Sequence, residues 1–369
     1  MRSKFKTVTE PKPPQQPASV GESLPYGVQL AAAWAWRVVI IIVALALLVL
    51  ALVELREIVI PVLVAIVLSA LLVPFRDVLM RRLRFPRWAA ITTAELGVIA
   101  AVGLLLYLVI TQVTAGFGGI RDRALGALDS FSSWLETSFH VGGDQLSGMV
   151  DQVWQALQAN AGSILPSVLS AGSTIGHILV GVLLALFTTL FILIDGNRIW
   201  AWVVRLFPKR ARPALDGAGR SGWGTLQSFV KVQILVAVID AVGIAGGAAL
   251  LGVPFAIPIG VLVFLGSFVP VVGAVVTGAF AVAVALIYNG WIIAIVMLAV
   301  VLLVQQFEGH VLQPLIMGSA VKVHPLAVIL AVAGGSMLAG IPGAFFAVPV
   351  VAVLNSAISF IASGRWRTP

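Results

Sequence analysis

The stretch FAIPIGVLVFLGSFVPVVGAVVTGAFAVAVALIY, residues 255–288, decides the fold class because it carries no charged side chain over its whole length. A helix that crosses a bilayer needs about 20 predominantly apolar residues, so this stretch is long enough to enter the membrane. It is also interrupted by Pro258, Pro270 and Gly273. A break at membrane depth frees backbone groups that must be buried in protein or line a wet cavity. The stretch therefore predicts a re-entrant or discontinuous membrane helix.

The last apolar stretch, Leu326 to Ala362, repeats this pattern. It is too long for one straight span, and it contains Gly340, Pro342 and Gly343. The same argument about freed backbone groups applies to it. We expect a second broken or re-entrant helix here.

The composition of the whole chain agrees with a lipid environment. Its 369 residues are 60% hydrophobic and only 10% charged, and the mean hydropathy is +1.07. Soluble domains have a lower apolar share. The apolar blocks are continuous, whereas an outer-membrane barrel would alternate apolar and polar residues in short segments. We predict an all-α polytopic membrane protein with about eight transmembrane helices.

The predicted organisation follows the order of apolar and polar segments. Helical spacing of apolar residues after the third span predicts a small extracytoplasmic domain of amphipathic helices. Aromatic and basic residues after the fourth span predict helices at the headgroup level. The predicted parts are a disordered cytoplasmic tail (1–32), transmembrane helices 1–3 (33–112), the extracytoplasmic domain (113–173), transmembrane helix 4 (174–194), cytoplasmic interfacial helices (195–228), transmembrane helices 5–8 with re-entrant elements as the transport core (229–362), and a cytoplasmic tail (363–369).

The distribution of charge predicts the orientation. Basic residues cluster in the N-terminal tail, in the loop 76–87 and in the segment 198–220, whereas 113–173 is acidic on balance. Cytoplasmic loops carry the excess of Lys and Arg. We therefore expect a multi-pass protein of the cytoplasmic (inner) membrane with both termini in the cytoplasm. The net charge of +8 then faces lipid headgroups, and no nucleic-acid partner is expected.

Polar residues inside the apolar segments are the candidates for function. Asp240 lies near the middle of the fifth span, and Gln233 precedes it by two helical turns on the same face. A charged group is expensive at the bilayer centre, so Asp240 is a candidate for exchanging a proton or binding a cation. The alternative is an Asp that only holds two helices together. A second cluster, Gln305, Gln306 and Glu308, lies at the end of the seventh span, where a solvated helix end is the alternative.

Signatures of catalysis are missing from the sequence. It contains no HExxH, no phosphate-binding P-loop and no dinucleotide-binding glycine pattern. The tetrapeptide Gly219 to Gly222 matches the GxSG nucleophile motif of intramembrane proteases, but Ser221 lies in a basic segment, away from His310 and His324. There is no cysteine, which excludes thiolate metal sites. We expect no enzymatic activity, no cofactor and no metal site.

The C-terminal half resembles a known family. The succession LLGVPFAIPIG, FVPVVGA, VQQFEGHVLQPLIMGSAVKVHPLAVIL and GGSMLAGIPGAFFAVP is similar to the AI-2E family of transporters, also described as the PerM-type or autoinducer-2 exporter family. The matching positions, which include the candidate helix-break residues, are Gly252, Pro254, Pro270, Gly273, Glu308, Pro314, Gly318, Pro325, Gly335, Gly340, Gly343 and Pro349. The resemblance is specific over about residues 229–349, and Asp240 is not part of the family pattern.

The resemblance implies eight spanning helices, a homo-oligomer with a pentamer as one candidate, and export of autoinducer-2 or another small solute. Ion-driven antiport is a further implication. Together with the polar residues above, this predicts a secondary transporter that works by alternating access, driven by protons or sodium ions because no nucleotide site exists. The alternative is a membrane scaffold or accessory protein that transports nothing, in which Asp240 is only structural.

Overall fold

The computed structural model describes residues 25–116, 126, 172–269, 272–312 and 324–367. Most of the predicted N-terminal tail and of the predicted extracytoplasmic domain lies outside these residues, as do Pro270 and Pro314. Within the described residues the chain is helical and contains no β-strand. The elements are α1 (Tyr26–Glu54), α2 (Arg56–Arg82), α3 (Arg87–Gly116), α4 (Gly172–Arg205), α5 (Arg212–Leu250), α6 (Ala256–Gly266), α7 (Val272–Asn289), α8 (Trp291–Phe307), a π-helical turn (Glu308–Leu312), α9 (Pro325–Ala362) and a 3-10 turn (Arg365–Arg367).

Eight of the helices in the described part of the chain are long and apolar enough to cross a membrane. The shorter apolar helix α6 is the exception. This confirms the prediction of an all-helical, multi-pass membrane protein.

The chain divides into two units after Leu55. The first unit consists of α1, whose most apolar 18-residue window has none of its residues buried within the structure. The second unit contains every other described helix. Lipid rather than protein is the natural environment for the apolar surface of α1.

The long helix α5 organises the second unit. It contacts α2, α4 and each of the described helices that follow it. Its buried side chains recur every three or four residues, which is the spacing of one face of a helix. That face comprises Ala218, Gly222, Leu226, Phe229, Val230, Gln233, Val236, Ala237, Asp240, Ile244 and Ala248.

Helices α6 and α7 form the first hairpin. At its tip, a Cβ atom on Gly273 would lie 1.7 Å from the backbone oxygen of Gly266, so only glycine permits this approach. At its base, the rings of Phe255 and Tyr288 are 5.3 Å apart. The two arms are therefore antiparallel, and their outer ends lie together.

The break in this hairpin lies between Gly266 and Val272. Pro258, which we expected to contribute to the break, lies instead in the first turn of α6. Proline is tolerated there because the first N–H groups of a helix have no intrahelical partner.

Helix α9 folds back on itself and forms the second hairpin. The backbone leaves helical geometry at Ala339 and at Gly340, where φ is 62° and ψ is −142°. A Cβ atom on Gly343 would lie 1.9 Å from the backbone oxygen of Gly335. In a straight helix these two residues would be about 12 Å apart along the axis. The residues on either side of Gly340 are therefore two arms in contact.

The two hairpins pack along α5 from its opposite ends. The first hairpin lies at the C-terminal end, where Gly260 packs against Ala245. The second lies at the N-terminal end, where Ser221 Oγ and Ser356 Oγ are 2.8 Å apart. Both tips point toward the middle of α5.

A second group of helices, α2, α3 and α4, surrounds a separate apolar cluster that includes Leu72, Ile91 and Leu193. Helix α4 bends at Asp195, where φ is −131°. Just before the bend, Arg76 Nη1 donates to the carbonyl oxygen of Leu193 at 2.9 Å, and the guanidinium of Arg87 donates to the carbonyl oxygen of the next residue. These arginines satisfy carbonyl groups that the bend would otherwise leave without a partner.

Candidate functional site

The candidate site begins with two polar side chains in the middle of α5. Gln233 and Asp240 are separated by two helical turns and lie on its buried face, with 9% and 2% of their surface exposed. The six residues between them, 234–239, are all apolar. A carboxyl group inside an apolar membrane helix is rare unless it has a function or forms a hydrogen bond.

The tip of the first hairpin provides the hydrogen-bond partners of both residues. Gln233 Nε2 donates to the carbonyl oxygen of Ser267 at 2.7 Å. Ser267 Oγ lies 3.1 Å from Asp240 Oδ2 and 2.8 Å from the carbonyl oxygen of Val263. The hairpin tip is thus attached to the middle of α5 by side-chain hydrogen bonds.

Ser267 was missed by the sequence analysis. One signal in the sequence could have pointed to it. Ser267 directly follows Gly266, and Ser336 directly follows Gly335 in the second broken stretch, so the same pair occurs in both hairpins. Ser336 is exposed, and its hydroxyl donates to the carbonyl oxygen of Ala333 at 2.7 Å. The two hairpins therefore carry a hydroxyl at equivalent places but use it differently.

Glu308 lies closer to Asp240 than its place in the sequence indicates. Helix α8 runs antiparallel to α5, because Gly243 packs against Val304 and Gly247 packs against Val300. Continuing this register brings the half-buried Glu308 level with Asp240. Its role in a pathway, as opposed to the alternative of a solvated helix end, stays a prediction.

The remaining predicted polar residues stand at the edge of this cluster. Gln305 is half-buried and Gln306 is exposed. The carbonyl oxygen of Gln306 lies 3.2 Å from His310 Nδ1. Within the described residues, neither Gln305 nor Gln306 takes part in the side-chain hydrogen bonds that join Gln233, Asp240 and Ser267.

Some of the predicted helix-break residues lie at the tips of the two hairpins, and others lie outside the tips. Gly273 and Gly343 make the closest backbone contacts, and Gly340 has the positive φ at the second tip. Pro254 lies in the turn before α6, directly before Phe255, whose φ is 63°. Pro349 is buried within the long arm of α9.

The tips of the two hairpins meet beside this cluster. The rings of Phe268 and Phe345 stack with their centroids 5.6 Å apart. An apolar groove of about 630 Å³ runs along the outside of α5 and α8, lined by residues that include Val242 and Val304. One Asp240 oxygen, Oδ1, is buried without a hydrogen-bond partner among the described residues. The cluster therefore offers an unused acceptor where two hairpin tips and two helices come together.

The residues of the protease hypothesis are not brought together. Ser221 Oγ faces Ser356 Oγ, whereas His324 accepts a hydrogen bond from the backbone N–H of Leu326. No group of three or more His, Asp or Glu residues that could hold a metal ion occurs in the described ranges.

Comparison with known proteins identifies the family of the chain. The sequence model of the family described as "AI-2E family transporter" matches residues 39–363. "Putative transport protein MT0215" of Mycobacterium tuberculosis (strain CDC 1551 / Oshkosh) is 40% identical over 339 residues, which cover 92% of each chain. The AI-2 transport protein TqsA of Escherichia coli K12 is 26% identical over 84% of this chain and 88% of its own length. For "Putative permease PerM" of the same organism the identity is 27%, over 81% and 86% of the two chains.

These relatives support a transport role rather than an enzymatic one. The chain belongs to the AI-2E family of transporters.

Proposed function

We propose that this chain is a secondary transporter that exports a small polar solute across the cell membrane by alternating access. The observation that carries the proposal is the meeting of the two hairpin tips beside Asp240 in the middle of α5. Hairpin tips and helix ends within a membrane offer backbone dipoles and free polar groups to a solute or an ion. Asp240, Gln233, Gln305, Gln306 and Glu308 are the proposed polar lining of the pathway.

The direction in which each hairpin enters the membrane follows from the distribution of charge. The N-terminal end of α5 begins at Arg212 and continues the basic segment that we assign to the cytoplasm. With that orientation, the second hairpin enters from the cytoplasm and the first from outside. Each tip would then separate the polar cluster from one side of the membrane, and opening the two in turn is what alternating access requires.

The solute class is inferred from the relatives and from the chemistry of the site. TqsA is named for autoinducer-2 transport, and a small polar molecule of that kind suits a site with amide, hydroxyl and carboxyl groups. Protons or sodium ions are the proposed driving ions. We also propose that the protein is a homo-oligomer. Its helices expose apolar faces, and such faces can be buried against a second copy of the chain as well as in lipid.

Transport by purified protein in liposomes tests the proposal. We expect gradient-dependent efflux of autoinducer-2-like solutes from liposomes that contain the wild-type protein, and its loss in Asp240→Asn. The matched control is Asp77→Asn, which removes the acid of a partly exposed ion pair with Arg76 outside the cluster and should retain flux.

Two outcomes would count against the proposal. If no solute of a broad panel moves in any gradient, the scaffold alternative replaces the transporter. If Asp240→Asn transports as well as Asp77→Asn does, the pathway does not depend on Asp240.

A further inference from the structure

The hydroxyl of Ser267 lies beside two oxygen atoms that can accept a hydrogen bond, and one of them, the carbonyl oxygen of Val263, also accepts the backbone N–H of Ser267 at 2.8 Å. The hydroxyl oxygen lies 3.1 Å from Asp240 Oδ2 and 2.8 Å from the carbonyl oxygen of Val263. A serine hydroxyl carries one hydrogen and can accept further hydrogen bonds at its oxygen. If Asp240 is ionised, both neighbours are acceptors, and Ser267 can serve only one of them.

A neutral Asp240 satisfies both contacts at once. Its own acid hydrogen on Oδ2 is donated to Ser267 Oγ, and the hydrogen of Ser267 is donated to the carbonyl oxygen of Val263. Every short contact then has one donor and one acceptor. The carboxylic acid therefore places a hydrogen in each of the two short oxygen–oxygen contacts, whereas the carboxylate leaves one of them without a hydrogen.

The second oxygen of the carboxyl group leads to the same result. Asp240 Oδ1 is buried and has no hydrogen-bond partner among the described residues. Leaving an ionised oxygen buried and unbonded is far more unfavourable than leaving the carbonyl oxygen of a neutral acid in that state.

Among the residues that the structure describes, no basic side chain forms an ion pair with Asp240. Helices α6 and α9 contain no titratable residue, and α7 contributes only Tyr288 at its far end. The α8 side contributes Glu308 and His310, and Lys231 on α5 itself is exposed. The ionisable groups of α2 and α4 lie toward the ends of those helices.

Glu308 makes a second negative charge unfavourable. The register between α5 and α8 brings Glu308 level with Asp240, and two nearby carboxylates in an apolar region are seldom ionised together.

We propose that Asp240 is a proton-carrying site, held in this conformation as a neutral carboxylic acid that donates its proton to Ser267 at the tip of the first hairpin. Asp240 and Glu308 together carry at most one negative charge. When Asp240 releases its proton, Ser267 must turn its own hydrogen from Val263 to the carboxylate, so the hairpin tip responds to the loss. The role of this proton in driving export rests on the proposed function, whereas the protonation of Asp240 does not.

Infrared spectroscopy tests the protonation directly. Purified protein in liposomes, without solute and without a gradient, should show the carbonyl absorption of a neutral carboxylic acid near neutral pH, shifted in heavy water. We expect Asp240→Asn to lose this band, and Asp77→Asn and Glu308→Gln to retain it. Ser267→Ala should move the band to higher frequency, because the acid loses its hydrogen-bond acceptor.

The proposal is overturned if Asp240→Asn folds as a monodisperse protein and loses no acid band. It is also overturned if Asp240 proves to be an ionised ligand of sodium, in which case sodium changes the carboxylate absorption and the acid band is absent. Because the measurement involves no transport, its failure is distinguishable from failure of the proposed transport activity.

A chemical measurement on the wild-type protein decides the question if Asp240→Asn does not fold. Dicyclohexylcarbodiimide is lipid-soluble and reacts with protonated carboxyl groups. The acid proton passes to a carbodiimide nitrogen, the carboxylate oxygen bonds to the central carbon, and rearrangement leaves an N-acylurea that retains the whole reagent. Mass spectrometry should find this adduct on Asp240 near neutral pH and lose it at alkaline pH. Modification of exposed carboxyl groups but not of Asp240 would overturn the proposal.

Discussion

Replacing Gly273 by alanine tests the close approach at the tip of the first hairpin. The added Cβ atom would lie 1.7 Å from the backbone oxygen of Gly266 and 2.5 Å from its carbonyl carbon. Both are backbone atoms, so no change of rotamer can relieve the overlap, and the two arms must separate. The matched control is Gly246→Ala in α5, where nothing lies within 4 Å of the added atom.

The two substitutions should change the free energy of unfolding in opposite directions. Overpacking a close contact costs about 1–3 kcal/mol. Alanine in place of an unhindered helical glycine contributes about 0.5–1 kcal/mol of stability. The variants should therefore differ by about 1.5–4 kcal/mol, which is about tenfold to several hundredfold in the folding equilibrium.

Thermal unfolding in detergent, followed by the fraction of protein that remains monodisperse after each heating step, measures this difference. We expect Gly273→Ala to lose its fold several degrees below the wild type and Gly246→Ala at or above it. If Gly273→Ala is as stable as Gly246→Ala, the backbone contact between the two arms does not exist, and the argument for a closed hairpin tip is wrong.

Two further predictions concern the second hairpin and the bend of α4. Gly343→Ala should destabilise the protein and slow transport, because its Cβ atom would lie 1.9 Å from a backbone oxygen of the other arm. In the control Gly334→Ala, nothing lies within 4 Å of the added atom. Flux and thermal stability, measured for both variants in parallel, check this. Arg76→Gln should lower the free energy of unfolding by about 1–3 kcal/mol, because the carbonyl oxygen of Leu193 loses its donor. Thermal unfolding measures the loss, with Arg82→Gln as an exposed control. Equal unfolding temperatures for the two variants would contradict the proposed role of Arg76.

The fold class could be predicted from the sequence because it depends on a property of long segments. Continuous apolar stretches without charge are typical of spanning helices, and interruptions such as Gly340 mark where those helices change direction. The sequence does not show which of the glycines and prolines in such a stretch makes the turn. Pro258 has the same breaking tendency as other prolines, but it lies in the first turn of α6, where its missing N–H does no harm. The closure of each hairpin depends on contacts between residues such as Gly266 and Gly273, which local propensity does not encode.

The candidate site was predicted only in part. Helical spacing was sufficient to put Gln233 and Asp240 on one face of α5. Ser267 belongs to another segment and meets them only after the hairpin has formed. Glu308 follows the apolar part of its helix, which in sequence resembles a solvated end. Its position level with Asp240 results from the register between α5 and α8, a tertiary property.

A single proton on Asp240 can influence both hairpins because of where the tips meet. The proton determines which way the hydroxyl of Ser267 points, and the neighbouring Phe268 stacks on Phe345 of the second hairpin. A hydrogen bond to a charged group is worth about 1.5–3 kcal/mol, and a coupling of that size changes the ratio of two conformations by roughly 10- to 150-fold. Such coupling is reciprocal, so a solute that separates the tips must change the affinity of Asp240 for its proton by the same factor. Proton uptake or release on solute binding, measured in a weakly buffered solution, is therefore the equilibrium signature that distinguishes a coupled exporter from a channel of the same fold.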